Sequence, residues 1–354
     1  MGVATLSQKD IAQLAGVDQS AVSHALRGTG TLSQETRQRI LEICREHHYR
    51  PNAHARSLRT ADSSLIGVVT GQLTESFHAQ LIHALTLELV PHQYHLMLRY
   101  CQPQAEHEVR QNQILSLLDR QAAGVVIATY SQDLKDEIQQ LVQGGIPLVM
   151  LGFSSGTAPS VSCDRFLGGK LVGEHLLAIG CRRPLSLMSP RENIEGSRDK
   201  RFGFEQVFAQ AGLGIPRCLP HNTQLEPYQS GYQAGRQLLA EGQLPDGIFC
   251  ESDDVAIGLM RALLEQGIRI PEQVAIIGFD DTPNALHGPI PLSTVHQPLE
   301  LMAHQAVELL FSQMQHRASE PSPTASEEAS AASPLGRNVI HTPELIIRAS
   351  SKRG

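Results

Sequence analysis

Five polar residues near the start of the chain fall at intervals suited to surface chemistry. Gln19, Ser20, Ser23, His24 and Arg27 line one side of a nine-residue stretch whose other side is Val22, Ala25 and Leu26. An outward helix face of amides, hydroxyls and a cation, with no ion-pair pattern, suits the reading of base edges in a DNA major groove. Acidic residues elsewhere come in adjacent pairs, Asp253/Asp254 and Asp280/Asp281. Neighbours in sequence need not converge in space, so neither pair is expected to act as an acid/base couple. Asp253 and Asp254 read instead as caps of the helix that follows, and Asp281 as a turn residue. The chain has no GxxxxGKS/T loop, no GxGxxG after a strand, no HExxH and no GxSxG. Phosphate-cradling loops, zinc-hydrolase helices and serine nucleophile elbows are thereby set aside, and no catalytic residue, metal or cofactor is expected.

The polar stretch needs a scaffold, and its flanks supply one. Ser7 can cap a helix running to Leu14, with Asp10 three residues on and Ile11, Leu14 and Ala15 as its apolar face. Gly16 permits the positive φ of a tight turn, and Val17 can plug the gap between helices. Asp18 then caps the second helix, Gln19 to Arg27. A third helix starts at Ser33, runs through Ile40, Leu41 and Ile43, and ends near Tyr49, because Pro51 keeps Arg50 out of helical geometry.

Charge supports the same division. The net charge of −7 hides a basic head: residues 1–60 hold eight Lys/Arg against five Asp/Glu, and the acidic excess lies in the remainder. The 354 residues suit a small domain joined to a two-lobed one. Six widely spaced cysteines without a CxxC pattern read as free thiols in a reducing compartment. No signal-like apolar segment and no membrane span stand out, so a cytoplasmic location and no membrane partner are expected.

From residue 62 onward short apolar runs alternate with helical patterns. Strands are expected at Leu65–Thr70, His95–Tyr100, Gly124–Thr129, Pro147–Leu151, Pro184–Met188, Gly247–Cys250 and Val274–Phe279. Helices are expected at about 77–90, 106–119, 133–143, 166–179, 200–211, 229–241, 254–266 and 299–315. The alternation predicts an α/β core of parallel sheets covered on both faces, and the number of strands predicts two lobes. Ligands of such sheets bind beyond the carboxyl ends of the strands, so a cleft between lobes is the default site. Residues 318–337, rich in Ser, Ala, Pro and Glu, read as a flexible insertion.

The run DIAQLAGVDQSAVSHALRG, followed by LSQETRQRILEICREHHYRPNAHARSLRT, resembles the N-terminus of LacI/GalR-type repressors. The core motifs CDRFLGGKLVGEHLLAIGCRR, GSRDKRFGF, PDGIFCESDDVAIGLMRALLEQGIRIPEQVAIIGFDDT and STVHQPLELMAHQAVELL extend that resemblance over nearly the whole chain. It implies a helix-turn-helix domain at 1–50, a hinge helix and linker at 51–61, and a periplasmic-binding-protein-like core at 62–350. In that architecture the chain crosses between lobes three times. The first lobe would be about 62–161 with 293–318, and the second about 162–292 with 338–350. The hinge helix would order on DNA and insert Leu58 into the minor groove. Nine residues are in any case too few for a stable isolated helix. Thr5, Asn52 and Arg56 join Gln19, Ser20, Ser23, His24, Arg27 and Leu58 as implied DNA contacts. Asp18 and His24 depart from the usual Ser/Thr and Arg of the family, which alters the expected operator and not the fold.

Carried over position by position, the resemblance also implies an effector site of Phe77, Arg198, Lys200, Ser252, Asp280 and Gln297. Asp and Gln suit sugar hydroxyls, and a cation suits a carboxylate or phosphate. Lys200 stands where the family usually has Arg, and Gly152 replaces an acidic residue. Lys200, together with the runs DGIFCESDDVAIG and RYCQPQAEHEVRQNQILSLL, looks most like the gluconate-type repressors, which implies a sugar-acid effector. The expectation is a homodimer that binds a pseudo-palindromic operator and changes affinity when a carbohydrate or sugar acid binds. The alternatives are a sugar-processing enzyme or a transport binding protein with a helical extension. The missing catalytic motifs oppose the first, and the missing signal segment and basic head oppose the second.

Overall fold

Runs such as LIGVVT, GVVIA and LVML carry no polar alternation, and such strands must be covered on both faces. That is how they are found. The structure, a computed structural model, describes residues 6–49, 63–71, 73–100, 107–129, 134–154, 156–190, 195–319 and 338–353. The chain divides into two compact units, Met1–Ser63 and Ser64–Gly354.

The first unit is built from helices α1 (Gln8–Ala15), α2 (Gln19–Arg27) and α3 (Gln34–Glu46). Ser7 and Asp10 form a reciprocal capping box on α1, and Ser33 caps α3 through the Thr36 N–H. Gly16 takes the left-handed conformation with φ 59°, which closes α1 and turns the chain into α2. Ile11, Ala12, Ala15, Val22, Ala25, Ile40 and Cys44 are buried together, with Val17 and Leu26 packed against them. Two expectations fail. Leu14 is 52% exposed, because Ala12 and not Leu14 completes the inward face of α1. Asp18 occupies the first position of α2 with extended backbone but makes no capping bond.

The second unit holds two parallel sheets. Six strands order as β11 (Asn338–His341), β5 (Ser160–Cys163), β4 (Leu148–Leu151), β3 (Gly124–Ala128), β1 (Leu65–Thr70) and β2 (His95–Tyr100). The Ser76–Leu89 and Leu299–Ser319 helices share a core with one face of this sheet, through Val68, Val126, Leu81, Leu85, Met302 and Ala306. His107–Asp119 and Lys135–Gln143 cover the other face, through Ile114, Leu117, Ile138 and Leu141. Four strands make the second lobe, in the order β7 (Arg217–Pro220), β6 (Pro184–Met188), β8 (Gly247–Cys250) and β9 (Ala275–Ile277).

Two helix pairs flank the four-stranded sheet, and both cross on glycine. A β-carbon on Gly169 would lie 1.9 Å from the Lys200 carbonyl oxygen, and one on Gly203 1.9 Å from that of Phe166. The Arg165–Ala178 and Glu195–Gln210 helices therefore touch backbone to backbone. Gly231 and Gly258 do the same for the Pro227–Glu241 and Asp253–Leu264 helices, against Val255 and Tyr228. These contacts fix where Lys200 and Asp253 enter the lobe.

The chain passes between the two sheets three times. The first passage follows β5 at Asp164, whose N–H donates to the His341 carbonyl at 2.9 Å. The other two zip together as an antiparallel pair, β10 (Thr294–His296) with β12 (Glu344–Ile346). Beyond it the chain returns to the second lobe, where Ser350 Oγ donates to the Ile276 carbonyl and Arg353 Nε to that of Pro271.

The expected fold class holds, with differences in detail. Residues 338–341, expected in the second lobe, pair in parallel with β5 at the edge of the first sheet. Residues 162–163, likewise expected in the second lobe, finish β5 there. Strands β5, β7, β10 and β11 and the short Pro283–His287 helix were not anticipated. The hinge segment 51–61 and insertion residues 320–337 lie outside the described residues. No helix among the described residues is long and apolar enough to cross a membrane.

Candidate functional site

The first unit presents the expected polar face on α2. Gln19 and Ser20 are exposed, and Ser23 and His24 are half-buried. Gln19 Nε2 donates to Gln8 Oε1 at 3.4 Å, linking the starts of α2 and α1. His24 Nδ1 lies 3.3 Å from Thr29 Oγ1, and its ring fills the space beside Gly30, where a β-carbon would meet it at 2.8 Å. The imidazole is thus held by its own loop. Thr5, Asn52, Arg56 and Leu58 lie outside the described residues, as does the side chain of Arg27.

In the second unit, residues from four elements meet at the carboxyl edge of the four-stranded sheet. Lys200 is buried; its Nζ donates to the Glu251 carbonyl at 2.9 Å and stands 3.8 Å from the centre of the Phe279 ring. Asp280 follows β9 with a φ of 116°, a conformation disfavoured for any side chain but glycine. Its carboxylate accepts from Gln297 Nε2 at 2.8 Å. Gln297 is buried too, and its Oε1 has no partner among the described residues. Three of the expected effector residues, Lys200, Asp280 and Gln297, are therefore brought together.

The other three are placed differently. Phe77, half-buried at the start of the Ser76–Leu89 helix, packs on the first-lobe core and meets His78 edge to face at 5.4 Å. Arg198 is exposed and pairs with Asp199 at 3.5 Å, because two residues before Lys200 a helix has turned about 200°. Ser252 is the cap of the Asp253–Leu264 helix, its Oγ accepting from the Val255 N–H. Asp253 and Asp254 are consequently freed from the capping role expected of them. Asp253 is buried, accepting from the Thr282 N–H at 2.7 Å and Thr294 Oγ1 at 2.5 Å. Asp254 reaches the first lobe, where Ser76 donates to it. Asp281 ties the passage strands together through Arg348 at 2.6 Å and His296 at 3.0 Å.

Sequence reasoning missed Glu251, His221 and Arg165. Glu251 directly follows β8 and accepts from His221 Nε2 at 2.9 Å, while His221 Nδ1 meets Ser230 Oγ at 2.8 Å. Arg165 donates to the Gly152 carbonyl and stacks on Phe153 at 4.8 Å. Gly152, with φ 87°, thus offers its backbone to a cation where the family resemblance had suggested a missing acid. The only signal for Glu251 was its place just after a strand.

Electrostatics reflect the crowding. Burial raises the Asp280 carboxyl to about 7; Glu75 and Asp254 add to this, and Lys200 and Gln297 oppose it. Burial and Asp280 also raise Asp253. Lys200 is lowered by burial, with Asp280 working against the shift. Glu251 is half-buried, and desolvation pushes its carboxyl up, yet the bond from His221 and the Lys200 charge hold it below the usual range. A carboxyl that keeps its proton more tightly when folded adds stability at low pH and withdraws it as pH rises from about 4 through about 7. Asp280→Asn is expected to flatten that decline in urea unfolding measured across this window. Parallel curves for variant and parent would show that Asp280 is not the group involved.

A three-helix unit followed by two parallel-sheet lobes, with a polar cluster at the carboxyl edge of the second sheet, is the architecture of a DNA-binding regulator joined to a small-molecule-binding core. Residues 7–52 match the model of the bacterial regulatory proteins of the lacI family, and 174–332 match that of the periplasmic binding protein-like domain. Over 347 residues the chain is 30% identical to the HTH-type transcriptional repressor PurR of Haemophilus influenzae strain PittEE, covering 97% of this chain and 98% of that one. It is 29% identical over 349 residues to PurR of Pasteurella multocida strain Pm70, with 97% and 98% covered. The lac repressor dimer bound to operator and the anti-inducer ONPF has the same fold, with a TM-score of 0.82 at 23% identity over 99% of this chain and 100% of that one. The chain belongs to the lacI family and is a DNA-binding transcriptional repressor of that type.

Proposed function

We propose that this repressor acts on genes of carbohydrate or sugar-acid catabolism, with operator affinity set by a small effector held between its lobes. The observation that carries the reading is Lys200. It is a buried cation whose Nζ donates to the Glu251 backbone carbonyl, beside the Asp280 carboxyl and Gln297 Oε1, which has no partner among the described residues. A carboxylate on Lys200 with hydroxyls on Asp280 and Gln297 would satisfy all three. In the cytoplasm a homodimer would set two α2 helices in half-sites about one DNA turn apart. Gln19, Ser20, Ser23, His24 and Arg27 would meet base edges, Thr5, Asn52 and Arg56 would add DNA contacts, and Leu58 would open a step from the minor groove. The effector changes operator affinity by as much as it prefers one lobe arrangement over the other.

A purine base is the second reading, favoured by the relatives named PurR. Titration calorimetry against gluconate, its phosphate, neutral sugars and purine bases separates the two. Binding of neutral sugars alone, or of purine bases alone, removes the sugar-acid reading. Footprinting on neighbouring upstream DNA tests the operator reading. Ser20→Ala with His24→Ala is expected to weaken sequence-selective binding by tenfold or more, since each base-edge contact contributes about 1–3 kcal/mol. Unchanged selective binding at moderate salt would refute the assignment of this face.

A further inference from the structure

The Ser76–Leu89 helix begins without a cap of its own, since Glu75 at its first position makes no side-chain capping bond. Four backbone N–H groups at a helix start need acceptors, and the helix dipole adds partial positive charge there. The acceptor comes from the other lobe. Ser76 N–H donates to Asp254 Oδ2 at 2.8 Å, and Ser76 Oγ donates to Asp254 Oδ1 at 2.8 Å. Asn284 Nδ2, also from the second lobe, donates to Ser76 Oγ at 3.1 Å. Thr74 Oγ1 donates to Glu226, the residue that opens the Pro227–Glu241 helix.

Asp254 lies in the first turn of the Asp253–Leu264 helix, which Ser252 already caps. One carboxylate therefore stands between two helix N-termini from opposite lobes. Without it, two like partial charges would face each other across the cleft. With it, each N-terminus gains an anion, and the first-lobe helix gains its missing cap only while the lobes are together.

The geometry points to Asp254 as an interlobe clasp, a shared cap on Ser76 that holds the two lobes closed and sets the balance between closed and open arrangements. This rests on the reading of the cleft as the switch and adds to it a device that no effector contact requires. Lobe closure is favoured by the chain's own carboxylate before any ligand arrives. An effector then shifts an equilibrium already biased toward closure by the clasp.

The test is amide hydrogen exchange on the full-length protein with no ligand added. Asp254→Ala is expected to speed exchange in the segment 76–80 by roughly 5- to 30-fold, the factor that one or two kcal/mol of lost capping represents. Strands β3 and β8 should keep their protection. Asp254→Asn, which keeps an acceptor but loses the charge between the two N-termini, should fall between Asp254→Ala and the parent. A role confined to the helix of Asp254 itself would leave the 76–80 segment of the opposite lobe unmoved, and that result would overturn the clasp. Should Asp254→Ala not fold, Asn284→Ala carries the same comparison with a smaller expected change, and no change there would likewise overturn it. Failure of the switch reading looks different: operator retention would ignore every effector in the panel while the 76–80 segment still responded to Asp254.

Discussion

A chain carrying Gly169→Ala is expected to lose on the order of 2–4 kcal/mol, the upper part of the range for overpacking. The added methyl would lie 1.9 Å from the Lys200 carbonyl oxygen, less than van der Waals contact allows, and its obstacle is backbone that cannot rotate aside. The Arg165–Ala178 and Glu195–Gln210 helices would have to separate, opening gaps around Val172, Phe204 and Phe208 on the far side of the crossing. Thermal unfolding should show the second unit's transition fall by roughly 5–15 °C. Gly180→Ala is not a fair control, because Gly180 has φ 89°. Ala178→Gly at the end of the same helix is better, with an expected cost near 1 kcal/mol. Equal stabilities for Gly169→Ala and the parent would mean that the helices do not touch as described.

Lys200→Met is expected to move the response of operator binding to about 100-fold higher effector concentration while leaving ligand-free operator affinity within about threefold. Met matches much of the lysine stem, so packing against Phe279 survives, and what disappears is a buried cation. An anionic effector would lose a charge-assisted hydrogen bond in a low-dielectric setting, together with the partner that offsets Asp280 and Glu251. Effector affinity should drop by about 100-fold, which corresponds to roughly 2.7 kcal/mol. Asp280 without its cation would be driven further toward its protonated form, which spares the fold the cost of an unpaired buried charge. The double variant Lys200→Met with Asp280→Asn completes a cycle whose coupling should be about 1–3 kcal/mol in stability. Zero coupling would show that the two side chains do not act on one another. An unchanged effector response in Lys200→Met would remove Lys200 from the site.

How far the sequence could be read follows from which forces were local. Strands β1, β2, β6 and β8 begin and end at the residues predicted for them, because each is a short, largely apolar segment bounded by turn-forming or helical sequence. The strand SVSC has two serines in four residues and looks like loop; its place in the sheet comes from pairing with β4 and β11, and β11 arrives 175 residues later. RCLP ends on proline and lies at a sheet edge, where a missing N–H costs nothing. Within the polar cluster, Lys200, Asp280 and Gln297 were legible through position. Asp253 and Asp254 were not, because the choice between capping one's own helix and bonding elsewhere was settled by Ser252 taking the cap. Nor could the sequence tell Arg198 from Lys200 as the inward cation; the Gly169 crossing decides that by turning Lys200 toward the sheet edge.

The paired passage strands β10 and β12 limit the kind of movement the second unit can make. A single covalent thread would leave one lobe free to spin on the other. Two strands laced side by side, with Arg348 riveted to Asp281 at one end, flex across their flat side and resist shear within their plane. The lobes are thereby left one soft direction, like the covers of a book, and a small change of spacing near the spine is magnified at the outer edge.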